Sequence, residues 1–389
     1  MPDVPLIALA LAAISLIIWI ALTFFRGAFW QLYAFDDDRL PAGSLASWPR
    51  VVAVVPARDE AGSIAAAVDS LAGQDYPGEY RVIVVDDHST DATAALAVRA
   101  AAAAGAAGRV QICPAADLPP GWTGKLWAMQ QGVEAAARVA PDFYWFTDAD
   151  IAHAPDTLRR LAARGVSQGL DLASLMVLLQ ARSFPERLLI PPFLYFFLKL
   201  YPPRWIADLS SKMGGAAGGC VLVRREALER FGGLSSIREE VIDDCALARR
   251  VKHTGGGLWM GVTRRSVSLR AYTTFGEIRD LIARTAYTQL KYSPLLLFGT
   301  ILGMILTYIV PVLLSFHPAP HVWRTALAAW ALMIITFLPT LRFYRLSPLW
   351  APLLPAAAAF YTWSTWLSAW RFWRGQGGQW KGRAQAPKS

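Results

Sequence analysis

The stretch Phe143-Tyr144-Trp145-Phe146-Thr147-Asp148-Ala149-Asp150-Ile151 runs four aromatic residues and a threonine straight into two carboxylates. The aromatic run predicts a buried strand, since large flat side chains suit a pleated surface. Carboxylates are almost never fully buried unless paired. The strand must therefore deliver Asp148 and Asp150 to an edge where water or a cation compensates them. Two hard oxygen donors at this spacing suit a divalent ion such as Mg or Mn, which fills its remaining positions with phosphate oxygens and water.

The elements upstream repeat the pattern. Val51 to Val55 predicts a strand that stops at Pro56, and Ala57-Arg58-Asp59-Glu60 follows before a helical run over Ile64 to Leu71. Tyr80 to Val85 predicts a second strand, ending in Asp86-Asp87-His88-Ser89-Thr90-Asp91. An alanine-rich helix over residues 92–107 comes next, with Ser89 or Thr90 as its expected cap. Apolar strands alternating with helices imply a parallel sheet covered on both faces. Ligands of such sheets lie beyond the carboxyl ends of the strands, where all three acidic loops fall. The sequence has neither G-x-G-x-x-G nor G-x-x-x-x-G-K-[ST], which disfavours a dinucleotide or P-loop site. A nucleotide read by carboxylates, its diphosphate held through a metal, is what remains.

The order Val-Val-Pro-Ala-Arg-Asp-Glu, Val-Val-Asp-Asp-His-Ser-Thr-Asp and Asp-Ala-Asp resembles family 2 glycosyltransferases, over roughly residues 50–292. The resemblance implies an α/β chain of GT-A fold, a Rossmann-like, mostly parallel sheet with helices on both faces. It also implies a nucleotide-diphosphate sugar donor. Asp87, with Asp86, would contact uracil, and the loop of Pro56, Ala57, Arg58 and Glu60 would line the nucleoside. Asp148 would lie near ribose and metal, and Asp150 would be the main metal ligand. Gly218-Gly219-Cys220 would border the acceptor pocket.

In Glu239-Glu240-Val241-Ile242-Asp243-Asp244-Cys245, Asp244 occupies the place of the family's catalytic base, and Asp243 replaces the usual Glu. Adjacent acids raise one another's pKa, which suits a base that takes a hydroxyl proton. The family's Gln/Arg-x-x-Arg-Trp signature has the counterpart Thr288-Gln289-Leu290-Lys291-Tyr292. Lys291 and Tyr292 thus keep a basic–aromatic pair in kind only, fit either for the substrate or for a membrane interface.

Gly121-Trp122-Thr123-Gly124-Lys125-Leu126-Trp127-Ala128 places Lys125 between a glycine and a helix, where it would reach donor phosphates. This segment is similar to one in membrane-bound family 2 enzymes acting on isoprenoid lipids, the hopanoid-associated and carotenoid glycosyltransferases. Gln379-Trp380-Lys381-Gly382-Arg383 is similar to a tail of such enzymes, and the hopanoid-associated group is the nearer. Residues 188–205, LLIPPFLYFFLKLYPPRW, predict an interfacial segment dipping into lipid headgroups.

Composition agrees with a membrane setting. The chain has 389 residues, 54% of them hydrophobic, and a mean hydropathy of +0.33. Pro5 to Phe25 carries no charge, which predicts an N-terminal span over residues 1–25. Residues 26–291 form the expected catalytic domain. Residues 292–371 hold three further uncharged runs, read as transmembrane or re-entrant helices, and 372–389 form a basic tail. The net charge of +9 flanks the apolar runs, which favours anionic headgroups over nucleic acid. Arg26 after the first run places the domain in the cytoplasm, at the inner membrane. Three late crossings would put the basic tail outside, against that rule. Three cysteines are too few for a disulfide framework. The expected activity is inverting, metal-dependent transfer from a UDP-sugar to a membrane lipid of hopanoid type. The alternatives are another glycolipid and, with too few crossings and no signature Trp, processive polysaccharide synthesis.

Overall fold

The computed structural model describes residues 3–32, 45–376, 379–380 and 383–384. After α1 (Asp3–Phe25) come β1 (Val51–Ala57), α2 (Ile64–Ala72), β2 (Tyr80–Asp86), α3 (Thr93–Ala103), β3 (Val110–Pro114), α4 (Gly124–Ala136) and β4 (Phe143–Phe146). The chain continues through β5 (Ile151–His153), α5 (Thr157–Ser167), β6 (Leu172–Leu178), α6 (Phe184–Leu200), α7 (Pro203–Ala207), β7 (Val221–Arg224) and α8 (Arg225–Arg230). It then runs through α9 (Asp243–His253), β8 (Leu258–Ser268), α10 (Phe275–Ala283), α11 (Ala286–Gln289), α12 (Pro294–Met304), α13 (Val310–Leu314), α14 (Pro320–Phe343) and α15 (Leu354–Trp373) to a separate pair of short strands, Gln379–Trp380 and Arg383–Ala384.

The eight strands form one sheet in the order β3-β2-β1-β4-β7-β6-β8-β5. β1, β2, β3 and β4 pair in parallel. β7 joins β4 and β6 antiparallel, and β5 runs antiparallel to β8, so the second half of the sheet is mixed. Along β1, Val52 and Val54 belong to one core, and Val51, Ala53 and Val55 to the other. β4 splits likewise, Tyr144 and Phe146 against Phe143 and Trp145. Both faces being covered explains why these strands read as unbroken apolar runs.

Three helices are long and apolar enough to cross a membrane: Pro5–Phe25, Pro294–Leu314 and Pro320–Phe343. The second is α12 and α13 joined by a π turn, Ile305–Ile309. Its loosened carbonyls are met from α1, where the Trp19 indole donates to the Thr307 carbonyl at 2.7 Å and the Ser15 hydroxyl to that of Leu306 at 2.7 Å. The third, α14, takes in Arg324 and Arg342 near its two ends. The last run, Leu346 to Trp370, becomes a 3-10 turn over Pro348–Leu353 and then α15, which is not among these three.

Two sequence expectations change. Ala92, not Ser89 or Thr90, holds the N-cap position of α3, with no side-chain cap bond. Ser89 donates instead to Asp86, and the Thr90 amide donates to the Asp59 carboxylate at 2.7 Å. Those hydroxyl-bearing residues are thus spent on knitting two acidic loops together. The segment 188–205 is also not an exposed apolar face. It lies in α6 and α7, with Tyr195 and Phe196 buried against Phe337, Tyr308 and Tyr361 of the apolar helices. The large aromatics that water would not accommodate are satisfied by protein.

Candidate active site

The carboxyl ends of β1, β2 and β4 meet as their parallel register requires. The Asp87 amide donates to the Ala57 carbonyl at 2.8 Å, and the Asp87 side chain is fully buried. Arg58 answers it, lying 3.6 Å from the carboxylate and donating to the Asp87 carbonyl at 2.6 Å. His88, in the left-handed region at φ +54, turns back so that Nδ1 lies 3.2 Å from Asp87. Pro56, Ala57, Arg58, Glu60, Asp86 and Asp87 therefore share one edge.

Asp148 and Asp150 follow β4 on a loop pinned from inside. Thr147 donates through Oγ1 to the Gly219 carbonyl at 2.9 Å and sits 2.8 Å from His153 Nε2. His153 Nδ1 lies 2.8 Å from Ser266 Oγ. Burial pushes the imidazole down to about 3, so it is neutral, and a proton on Nε2 lets all three groups bond in one chain.

Lys125 joins the two halves of the site. Its ammonium is 2.9 Å from Asp148 Oδ1 and 3.1 Å from Asp243 Oδ2. Burial would lower its pKa, but Asp148, Asp243 and Asp244 outweigh that and raise it, so the lysine is charged. The motif around it is anchored on the loop before α9, because the Thr123 amide donates to the Arg238 carbonyl at 2.9 Å. Trp122 and Trp127 pack edge to face, and the Trp127 indole holds the Ala116 carbonyl.

Asp244 stands in the first turn of α9, where the dipole favours an acid. Its two oxygens accept from the amides of Gly218 and Cys245, each at 2.7 Å. Gly218 permits this approach: a Cβ there would meet Asp244 Oδ2 at 3.2 Å and the Lys125 ammonium at 3.4 Å. Burial first, then Asp243, pushes the Asp244 carboxyl up to about 6, against the pull of Lys125. Burial, Asp148 and Glu60 push Asp150 up to about 6 as well. Pro56, Phe146, Leu126 and Leu234 wall the cleft that contains Lys125, Asp148, Asp243 and Asp244.

The family model for glycosyltransferase-like family 2 matches residues 49–288. The chain belongs to the family 2 glycosyltransferases. Among solved structures, the fold is shared with a mannosyltransferase, PcManGT from Pyrobaculum calidifontis, in complex with GDP-Man and Mn2+. The two are 19% identical over 92% of this chain and 99% of that one, with a TM-score of 0.52. Glucosyl-3-phosphoglycerate synthase from Mycobacterium tuberculosis, in complex with Mg2+ and UDP, is 18% identical over 62% of this chain and 79% of that one, with a TM-score of 0.39. No curated protein matches the chain. As a family member the chain is a glycosyltransferase with the α/β, GT-A arrangement described above.

Two expected residues are not brought to the cleft. Lys291 is exposed at φ +52, and Tyr292 stacks on Phe372 with centroids 4.5 Å apart. Both sit where α11 turns into the second apolar helix. Of the motif Gln379-Trp380-Lys381-Gly382-Arg383, Lys381 and Gly382 lie outside the described residues, while Gln379–Trp380 pairs antiparallel with Arg383–Ala384. The structure adds groups that no spacing signalled. Arg270, just past β8, opposes the rise of the Asp150 carboxyl. Tyr201 lies close enough to Cys245 and Asp244 for both to raise its hydroxyl, after burial, and it bonds Gln289 at 3.0 Å. Each comes from a distant part of the chain, which a local pattern cannot reveal.

The chemistry of the donor set fits a divalent ion. Asp148 and Asp150 are hard oxygen ligands, and no group of three potential ligands exists among the described residues. These two carboxylates would hold such an ion and leave its remaining positions to other oxygen donors and water, the usual division for Mg.

Proposed function

We propose that this glycosyltransferase moves a sugar from a UDP-sugar to the hydroxyl of a membrane lipid, of hopanoid type, with inversion at the anomeric carbon. The observation that carries the reading is the Lys125 bridge. It places the Asp148 end, suited to a donor diphosphate, and the Asp243–Asp244 end, suited to an acceptor, in one cleft.

Asp87 and Arg58 would read the base, with Pro56, Ala57 and Glu60 lining the nucleoside. Asp148 and Asp150 would hold Mg or Mn, which supplies positive charge to the departing diphosphate. Lys125 would add its own charge, a stabilisation that grows as the leaving oxygens take up the electron pair. Asp244 accepts the acceptor hydroxyl proton, its oxygens aimed by the Gly218 and Cys245 amides. The acceptor oxygen bonds to the anomeric carbon as the sugar–diphosphate bond opposite it breaks, so no covalent enzyme intermediate is needed.

A lipid acceptor is supported by the short path from Asp244 to the apolar helices. Tyr201 lies by Cys245, the residue after Asp244, and bonds Gln289, and Ser293 opens the apolar helix four residues later. The polar head of a lipid would reach the base while its body stays among the helices. This supports a domain on the cytoplasmic face of the inner membrane, with Arg26 at its entry.

The test is UDP release by protein reconstituted in vesicles, with and without a lipid alcohol, for the parent and Asp150→Ala. We expect release that needs a divalent cation and lipid, and its loss in the variant together with metal-dependent donor binding. Release indifferent to lipid would remove the acceptor assignment. Unchanged metal dependence in the variant would remove the metal assignment.

A further inference from the structure

α15 presents a tryptophan stripe. Trp363, Trp366, Trp370 and Trp373 recur at intervals of three, four and three residues, one face of a helix. They are 46%, 41%, 38% and 50% exposed. Trp366 and Trp370 stack with centroids 5.6 Å apart, and Arg374 lies 4.4 Å above the Trp370 ring. The opposite face, including Tyr361, Ser364, Ser368 and Ala369, is buried.

That buried face packs on α6, α10 and α11 of the catalytic domain and also on the second apolar helix. Before its first turn, Trp350 packs on Phe184 of α6, and within it Phe360 packs on Phe275 of α10. The Tyr361 hydroxyl donates to the Leu189 carbonyl at 2.9 Å. Ser368 bridges the Ala283 carbonyl and the Tyr287 amide. Arg371 closes the run on Asp280 at 2.7 Å. Partners at both ends thus belong to α6, α10 and α11, elements of the domain. α10, which runs beside α15 from Phe275 to Ala283, carries Glu277, Arg279 and Asp280, charges that a crossing α15 would draw into the bilayer. The exposed stripe also lies beside the start of the second apolar helix, where Leu297 packs with Ala369 and Phe372. There Leu295, Leu296 and Phe298 face outward.

We propose that α15 lies in the plane of the membrane, its tryptophan stripe seated among the lipid headgroups of the leaflet facing the catalytic domain. Tryptophan pairs an apolar ring with one N–H donor and collects at that level of a bilayer. Arg371 and Arg374 at its end suit anionic headgroups. The chain then crosses three times, by Pro5–Phe25, Pro294–Leu314 and Pro320–Phe343. The basic residues after α15 fall on the domain's side, which removes the conflict with the positive-inside rule. This rests on the membrane reading above.

The experiment uses the full chain, with Cys113→Ser to silence the partly exposed thiol, in vesicles of phosphatidylcholine and phosphatidylglycerol. Single nitroxide labels go on Trp363→Cys, Trp366→Cys, Trp370→Cys and Trp373→Cys. Depth is read from collisions with oxygen against a water-soluble nickel chelate. All four labels are expected at one shallow depth. A gradient of about 15 Å from 363 to 373, the rise of ten helical residues, would mean that α15 crosses. Four labels in water, or four shielded from both quenchers by a second copy, would also overturn the proposal. A label on Ile17→Cys, exposed on α1, should sit deep in lipid; if it lies in water, the membrane reading itself fails. A membrane-impermeant maleimide should reach Gln376→Cys and Val98→Cys from the same side, and labelling from opposite sides would overturn the three-crossing path.

Discussion

Asp244 is poised by opposing forces, and each can be removed separately. Asp244→Asn keeps the shape and the position in α9 but cannot accept a proton. We expect kcat to fall by at least about 10²-fold, the scale of general-base catalysis, with donor affinity nearly intact. Donor affinity lost at unchanged saturating turnover would make the residue a nucleotide ligand. With its carboxyl pushed up to about 6 by burial and Asp243, the base is disabled by protonation, so kcat/KM should decline as pH falls through that value. Lys125→Met withdraws the cation that opposes this shift. Its acid limb should therefore move to higher pH and donor binding should weaken. Asp148 is also released from a competing charge. Calorimetry without donor should accordingly show tighter Mn binding in Lys125→Met than in the parent, and weaker binding would place Lys125 among the groups that build the ion site.

At the scale of elements, the joint between the sheet and the apolar helices is made by α6, and Glu186 organises its start. This buried carboxylate accepts from the amides of Ser183 and Tyr272, both at 2.8 Å, and of Arg182 at 2.9 Å, completing a capping box with Ser183. Glu186→Ala leaves those amides without their acceptor and should lower stability by about 1–3 kcal/mol, seen as a lower Tm in detergent. A Tm within one degree of the parent would show that water replaces the carboxylate. Burial raises the Glu186 pKa but the amide bonds outweigh it, so the folded value is lowered. The sign follows: its contribution is complete above the ordinary glutamate range and is lost as pH falls through the folded value. In Glu186→Ala that part of the acid sensitivity should vanish. Phe196 belongs to the same joint. Buried against Tyr308 and Tyr361, it would be missed as core on replacement by serine, and soluble and lipid acceptors should lose activity alike.

Over the whole molecule, α1 is fixed to the domain through Gly27. At φ +59 its backbone suits glycine, and a Cβ there would meet Pro202 Cβ at 2.9 Å and the Trp205 indole nitrogen at 3.0 Å. Arg26, beside it, covers the Trp205 ring at 4.7 Å and donates to the Lys199 carbonyl at 3.0 Å. Gly27→Val should cost about 1–3 kcal/mol in backbone strain alone, and the clash adds to it. The expected outcome is faster proteolysis between residues 26 and 50 at unchanged donor affinity. Equal protease sensitivity in parent and variant would mean that the anchor and the domain are not coupled here.

The sequence by itself determined the parallel half of the sheet and the acids at its edge. Both depend on short-range pattern: a strand buried on two faces reads as an apolar run, and carboxylates must leave it at the end. Asp87, Asp148 and Asp150 were legible for that reason, and so was the apolar character of the ends, whereas Asp244, which opens α9, was named only through the family resemblance. Tertiary structure decided what long-range contact alone can set. It converted 188–205 from an expected surface into a joint, because its aromatic residues found partners more than a hundred residues away. It drew Lys125 between Asp148 and Asp243, and brought Arg270 and Tyr201 beside the acids. It also tied α15 to α6 and α10, where apolar length alone had left crossing and re-entry equally open. Hydropathy measures what a helix would accept around it, and only packing decides which face meets protein and which meets lipid.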